Sequence, residues 1–154
     1  MRWSMQIRKV KHEDIDLLVE NRVEFVTTIR TIENIEEFKK YTKEYLEKHI
    51  EDGSIISYIA IDNSKIVSSA ILCIYETLPI PSCLNGKIGL LLNVYTIKEY
   101  RRKGLAKKIL NKVIEEAKLS EIGKIQLDYT DDGYPVYKKL GFEELDRQMI
   151  LKLN

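Results

Sequence analysis

Cysteine is scarce in this 154-residue chain: only Cys73 and Cys83 are present. Two are too few for a disulfide framework. Cys73 sits in an apolar run and reads as a small hydrophobe. Cys83 lies in a proline-containing loop with no histidine beside it, which makes it a poor nucleophile. There are also only two histidines, His12 and His49. With no cysteine pair and no spaced carboxylate cluster, no metal-ligating pattern emerges and none is expected. Long apolar runs are missing too. None approaches the roughly 18–20 residues that span a bilayer, so no membrane partner is expected. The opening MRWSMQIRKV lacks the apolar core of a signal peptide, and the expected compartment is the cytoplasm. Nor is there an excess of charge of either sign. The 25 Lys and Arg nearly balance 24 Asp and Glu, for a net charge of +1. That balance gives no global pull toward nucleic acid.

What is present fits one soluble globular domain covering residues 1–154, with 44% hydrophobic and 32% charged residues. No internal repeat, low-complexity segment or linker interrupts it. Met5–Val10 reads as a first strand. From Glu13 to about Thr28, Ile15, Leu18, Val19, Val23 and Val26 follow a helical period. A second helix, about Ile35–Glu51, stops before Gly53. Ser54–Asp62 and Lys65–Ile74, joined at Asn63–Ser64, read as a hairpin. Residues 77–86, with two prolines and Asn–Gly, form a loop. Lys87–Thr96 is nearly continuous apolar, as a central strand covered on both faces should be. A helix over Gly104–Leu119, a strand over Lys124–Tyr129 and a short helix from Pro135 to before Gly141 follow. Phe142–Leu145 and Gln148–Leu153 read as two closing strands. The expected class is α/β (mixed α+β): about six to seven strands flanked by about four helices.

The turn between the apolar strand and the next helix is the most telling stretch. Arg101, Arg102 and Lys103 precede Gly104, and Lys107 and Lys108 follow at once. Cations at a helix N-terminus oppose its dipole and cost roughly 0.3–1 kcal/mol each, so five of them point to an anion. Free N–H groups, a glycine and flanking guanidiniums suit a phosphate or pyrophosphate. On these residues alone, a solvated basic helix start is the competing reading.

Three motifs in order carry a resemblance. Arg101-x-x-Gly104-x-Ala106 resembles the acyl-CoA pyrophosphate signature of the GNAT superfamily of N-acetyltransferases. Leu92-Asn93-Val94-Tyr95-Thr96 is similar to that superfamily's fourth strand. Tyr137-Lys138-Lys139-Leu140-Gly141-Phe142 resembles its C-terminal Tyr-x-x-Leu-Gly-Phe element. Two departures stand out. Lys98 follows Ile97 where proline is common, and Thr130-Asp131-Asp132-Gly133 replaces the Asn and Ala often found before the tyrosine.

The resemblance implies transfer of an acetyl group from acetyl-CoA to a primary amine by direct attack in a ternary complex. It places the coenzyme on Val94, Tyr95, Thr96, Arg101, Arg102, Lys103, Gly104, Leu105 and Ala106. The pantetheine arm would pair with the strand at Val94 and Thr96, and the Val94 N–H would face the thioester oxygen. Tyr137 is the implied general acid. Asp128 resembles in position a base used by some members, with Glu24 and Glu76 as other options and a solvated carboxylate as the plain reading of each. Arg22, Glu24 and Arg30 are candidate acceptor selectors, the acceptor entering between the first two helices and the 77–86 loop. That acceptor is a small-molecule or peptide amine. Small dimers are common among proteins of this kind, so a homodimer fits. The rival reading is a non-catalytic acyl-CoA sensor.

Overall fold

A computed structural model of the chain describes residues 5–154. Its elements are β1 (Gln6–Lys9), α1 (Ile15–Ile29), α2 (Ile35–His49), β2 (Ile55–Asp62), β3 (Lys65–Glu76), β4 (Lys87–Thr96), α3 (Leu105–Leu119), β5 (Lys124–Gln126) and α4 (Tyr134–Lys139), in chain order. Short 3-10 turns at His12–Asp14 and Lys98–Tyr100 lead into α1 and the basic turn. One sheet carries the strands in the order β1-β2-β3-β4-β5. The first four are antiparallel, and β5 joins β4 in parallel across the α3 connection.

Alternation along β2 and β3 sends side chains to two cores, as a period of two requires. Ile56, Ala60, Val67, Ala70 and Leu72 pack under α3, against Leu105, Ile109, Leu110 and Val113. Ile55, Ile59, Ile66 and Ile71 face the other way, against Ile15, Leu18, Val19 and Leu46 of α1 and α2. Burying each such side chain is worth about 1.5–3 kcal/mol, which is why two helical layers hold a sheet this apolar. Asn34 caps α2, its side-chain oxygen accepting from the Glu37 N–H at 3.0 Å. Among the described residues no helix is long and apolar enough to cross a membrane.

Among the described residues the sheet has five strands, not six to seven. Residues 143–154 form neither expected strand. Gln148–Leu153 has the alternation of a strand, but the sheet ends at β5, which is only three residues long. A strand without a paired neighbour has nowhere to put its N–H and C=O groups. β5 itself stops at Gln126, short of the expected Tyr129. The cause lies in β4: its pairing with β5 runs only from Ile88 to Leu90.

Candidate active site

Two irregularities shape β4. Past Leu90 the strand loses β5 as a neighbour. Two residues later its register with β3 slips: Ile71 faces Leu92 while Ser69 faces Tyr95, so β4 holds one extra residue there. This is a β-bulge, and Asn93 adopts φ +55° within it. Asparagine tolerates the left-handed region better than other side chains. Val94, directly after it, has no partner in β3.

A buried polar network holds the bulge. The Asn93 amide nitrogen donates to Asn21 Oδ1 at 3.1 Å and to Ser69 Oγ at 3.0 Å. The Ser69 hydroxyl lies 2.7 Å from Asn21 Oδ1 and 3.2 Å from the Asn93 carbonyl oxygen. Asn21, Ser69 and Asn93 are all buried. Arg22 Nη1 donates to Asn93 Oδ1 at 3.3 Å, closing the group on its α1 side. In the sequence alone, Asn21, Ser69 and Asn93 do not stand out individually. The available signal was an asparagine inside the otherwise apolar run IGLLLNV, where a buried amide needs several partners.

At the end of β4 the chain turns sharply. Arg102 has φ +62° and Gly104 φ +72°. Gly104 is the N-cap of α3, with no side chain capping the helix. A Cβ there would project into open space, so a left-handed φ rather than crowding favours glycine. The N–H groups of Gly104, Leu105, Ala106 and Lys107 meet no acceptor among the described residues. No acidic residue occupies the first turn of α3. Arg101 and Arg102 are exposed here. Arg101 Nε donates to the Thr96 carbonyl at 2.9 Å, tying the turn to β4. Lys103 lies over the Tyr100 ring at 5.2 Å. These donors and cations fit a diphosphate, the donor set a helix start offers an anion.

Tyr95 and Thr96 complete the strand. Tyr95 is buried, its ring 5.1 Å from Phe25, and burial followed by the charge of nearby Glu24 raises its pKa. The Thr96 hydroxyl pairs with Ser68 at 2.7 Å.

Tyr137 and Asp128 line one cavity, of about 480 Å³, with Leu90, Ile125, Phe142 and Leu145. Asp128 is exposed, whereas Tyr137 is 8% exposed, edge-on to Phe142 at 5.7 Å between ring centroids. The Tyr137 hydroxyl has no protein partner among the described residues. Burial pushes its pKa up to about 12, so the phenol is protonated at neutral pH. Gly133 makes room for it: a Cβ there would come within 2.8 Å of the Tyr137 ring.

A second cavity, about 450 Å³, opens between α1, α2 and the sheet, lined by Arg22, Phe38, Tyr41, Tyr45, Cys73 and Leu92 among others. Arg22 therefore sits in a cavity that also reaches β4. Glu24 is not part of that lining and stands near Tyr95 instead. Arg30 and the 77–86 loop contribute nothing to it either. Glu76 is exposed at the end of β3.

The sequence matches the acetyltransferase (GNAT) domain over residues 26–151. The chain belongs to the GNAT acetyltransferase family. It has that family's α/β fold and is an acyltransferase. Among solved structures it is similar to a protein described as a predicted acetyltransferase from Clostridium acetobutylicum, solved with acetyl-CoA. The two are 29% identical with a TM-score of 0.88, over 97% of this chain and 96% of the other. A GCN5-related N-acetyltransferase from Ralstonia eutropha JMP134 shares the fold at 22% identity and a TM-score of 0.86, over 98% and 100% of the chains. Glucosamine-6-phosphate N-acetyltransferase from Arabidopsis thaliana does so at 21% and 0.73, over 98% and 99%. No curated protein matches the sequence.

Proposed function

We propose that the chain transfers the acetyl group of acetyl-CoA to a primary amine in a ternary complex. The observation that carries this reading is the break in β4, which leaves β5 after Leu90 and bulges at Asn93, just ahead of the uncapped start of α3. The acetyl-CoA complex of the Clostridium acetobutylicum protein supports the choice of co-substrate.

Acetyl-CoA supplies a thioester whose carbonyl carbon is open to an amine. The N–H groups of Arg102 to Ala106 hold its diphosphate, with Arg101, Arg102 and Lys103 screening the charge. Val94 and Thr96 present backbone groups to the pantetheine arm, as a sheet edge does to an added strand. The Val94 N–H, at the bulge, stabilises negative charge on the thioester oxygen. A fixed donor of this kind is worth about 3–4 kcal/mol of barrier. The new C–N bond forms as the C–S bond breaks, leaving an N-acetylated amine and the coenzyme thiolate.

Tyr137 serves that thiolate. Its raised pKa keeps the phenol protonated, so it holds the departing sulfur by a hydrogen bond, and we assign to it the proton that the thiolate takes up as the C–S bond opens. The attacking amine must lose a proton too, and the base we assign is Asp128, acting through water; its sharing a cavity with Tyr137 supports the choice. The setting we propose is cytoplasmic.

We propose also that the working form is a homodimer. Met149, Ile150, Leu151 and Leu153 are 100%, 83%, 81% and 88% exposed, and among the described residues β5 pairs with β4 alone. A second copy's C-terminal segment would cover both. Sedimentation should return twice the 18.0 kDa chain mass, and a mass of 18.0 kDa would refute it.

The test of the transfer reading is thiol release from acetyl-CoA across amino acids, peptides, polyamines and aminoglycosides. Release accelerated by one class supports it. Release that no amine accelerates, with acetyl-CoA still raising thermal stability, makes the chain a sensor of the coenzyme.

A further inference from the structure

Arg22 carries a charge that no carboxylate among the described residues balances. It lies on α1 and is half-buried, so desolvation lowers its pKa, yet a guanidinium stays charged. It forms no ion pair among the described residues. Its guanidinium donates to the neutral amide of Asn93 at 3.3 Å, and its guanidinium carbon sits 5.5 Å from the centre of the Phe38 ring. The contrast with Arg8 is plain: that guanidinium grips Asp14 with two bonds, at 2.7 and 2.9 Å. A half-buried cation without a counter-charge is costly unless something else brings one.

The cavity around Arg22 says what that something is. Its other walls include Phe38, Tyr41, Tyr45, Leu92 and Cys73, whose thiol burial keeps protonated and so uncharged, and no second Lys or Arg lines it. One guanidinium balances one negative charge, and its fork matches the two oxygens of a carboxylate. A phosphate dianion would be left half-neutralised. The aromatic and branched walls ask for an apolar body of side-chain size, and about 450 Å³ is room for a small molecule. Arg22 touches Asn93, the residue before Val94, so an anion on Arg22 lies close to the proposed acetyl-transfer point. The amine must then stand within a few bonds of the carboxylate.

We propose that the acceptor is an α-amino acid with a large apolar side chain, its carboxylate held by Arg22 and its side chain by Phe38, Tyr41 and Tyr45. This rests on the transfer reading above and narrows it. The amine nitrogen bonds to the acetyl carbon, the C–S bond breaks, and the thiolate takes up a proton while the ammonium gives one up.

The experiment compares phenylalanine and leucine with their amides and with phenethylamine and isoamylamine, following thiol release. The free acids should exceed the amides by about 10- to 100-fold in kcat/KM, the range for a hydrogen-bonded charge. Arg22→Gln should erase that ratio, and Arg22→Lys should restore part of it. The thermal shift with acetyl-CoA reports folding and coenzyme binding of each variant separately. Acids and amides used equally well, or a ratio that survives Arg22→Gln, would overturn the carboxylate assignment while leaving amine acetylation intact. Thiol release that no amine of any class accelerates would instead remove the transfer reading itself.

Discussion

The turn at Arg101–Ala106 and the cavity around Arg22 serve, on this account, the two reactants of one transfer, and they are built from different material. The turn is backbone: a left-handed glycine, an uncapped helix start, and N–H groups lacking acceptors among the described residues. Its side chains only supply charge, from the surface. The cavity is side chain throughout, drawn from α1, α2, β3 and β4. The turn should therefore tolerate replacement of its charges and resist changes to its backbone. The cavity should behave the other way round, with one side chain deciding what it accepts.

Changes that test this contrast differ widely in size. The largest effect should come between the two regions, at the reacting atoms. Tyr137→Phe should lower thiol release by about 10²- to 10⁴-fold, with acetyl-CoA affinity retained in a binding titration. Gly104→Val should come next. A β-branched residue at φ +72° is strained by roughly 1–2 kcal/mol, and its side chain would fill the open face of the turn. Acetyl-CoA affinity, measured by calorimetry, should fall at least tenfold. Ser69→Ala removes a hydroxyl that both gives and accepts in the Asn21–Asn93 network. It should cost about 1–3 kcal/mol in denaturant unfolding and slow turnover by loosening the bulge. Arg102→Gln should do least, weakening coenzyme binding a few-fold and less at high salt, as an exposed charge does.

A pH profile sharpens the same contrast. With its pKa raised to about 12, Tyr137 keeps its proton through pH 10, so kcat should show no loss from this group between pH 8 and 10. The sign for stability agrees. The neutral phenol is favoured in the fold, so its contribution is whole below pH 10 and fades as pH climbs through about 12. A basic limb near pH 9 that Tyr137→Phe abolishes would contradict this assignment.

The same distinction explains what could be read from the chain before its fold was known. The turn is six consecutive residues, so its glycine, its cations and the helical stripe behind them appear together as a motif. β4 ran from Lys87 to Thr96 as expected, because a strand covered on both faces writes an unbroken apolar run. The hairpin of β2 and β3 and the helix α3 were equally plain, each carrying its own period. The cavity was not, since Arg22, Phe38, Cys73 and Leu92 are far apart in sequence and meet only through packing. Arg22 reads as a candidate selector in the sequence, but its unbalanced charge is visible only once the fold surrounds it. The bulge hid for a related reason: Asn93 looks like one polar residue in a strand until Ser69 and Asn21 surround it. The closing strands failed differently. Gln148–Leu153 has the local pattern, but pairing depends on a neighbouring edge that local pattern does not encode.

The central claim is that the break in β4 and the start of α3 together hold acetyl-CoA. A crystal structure of the acetyl-CoA complex tests it most directly. The account predicts diphosphate oxygens about 2.7–3.2 Å from the N–H groups of Leu105 and Ala106, and the thioester oxygen at the Val94 N–H. A coenzyme bound with its diphosphate away from Gly104, or its thioester remote from Val94, would contradict it.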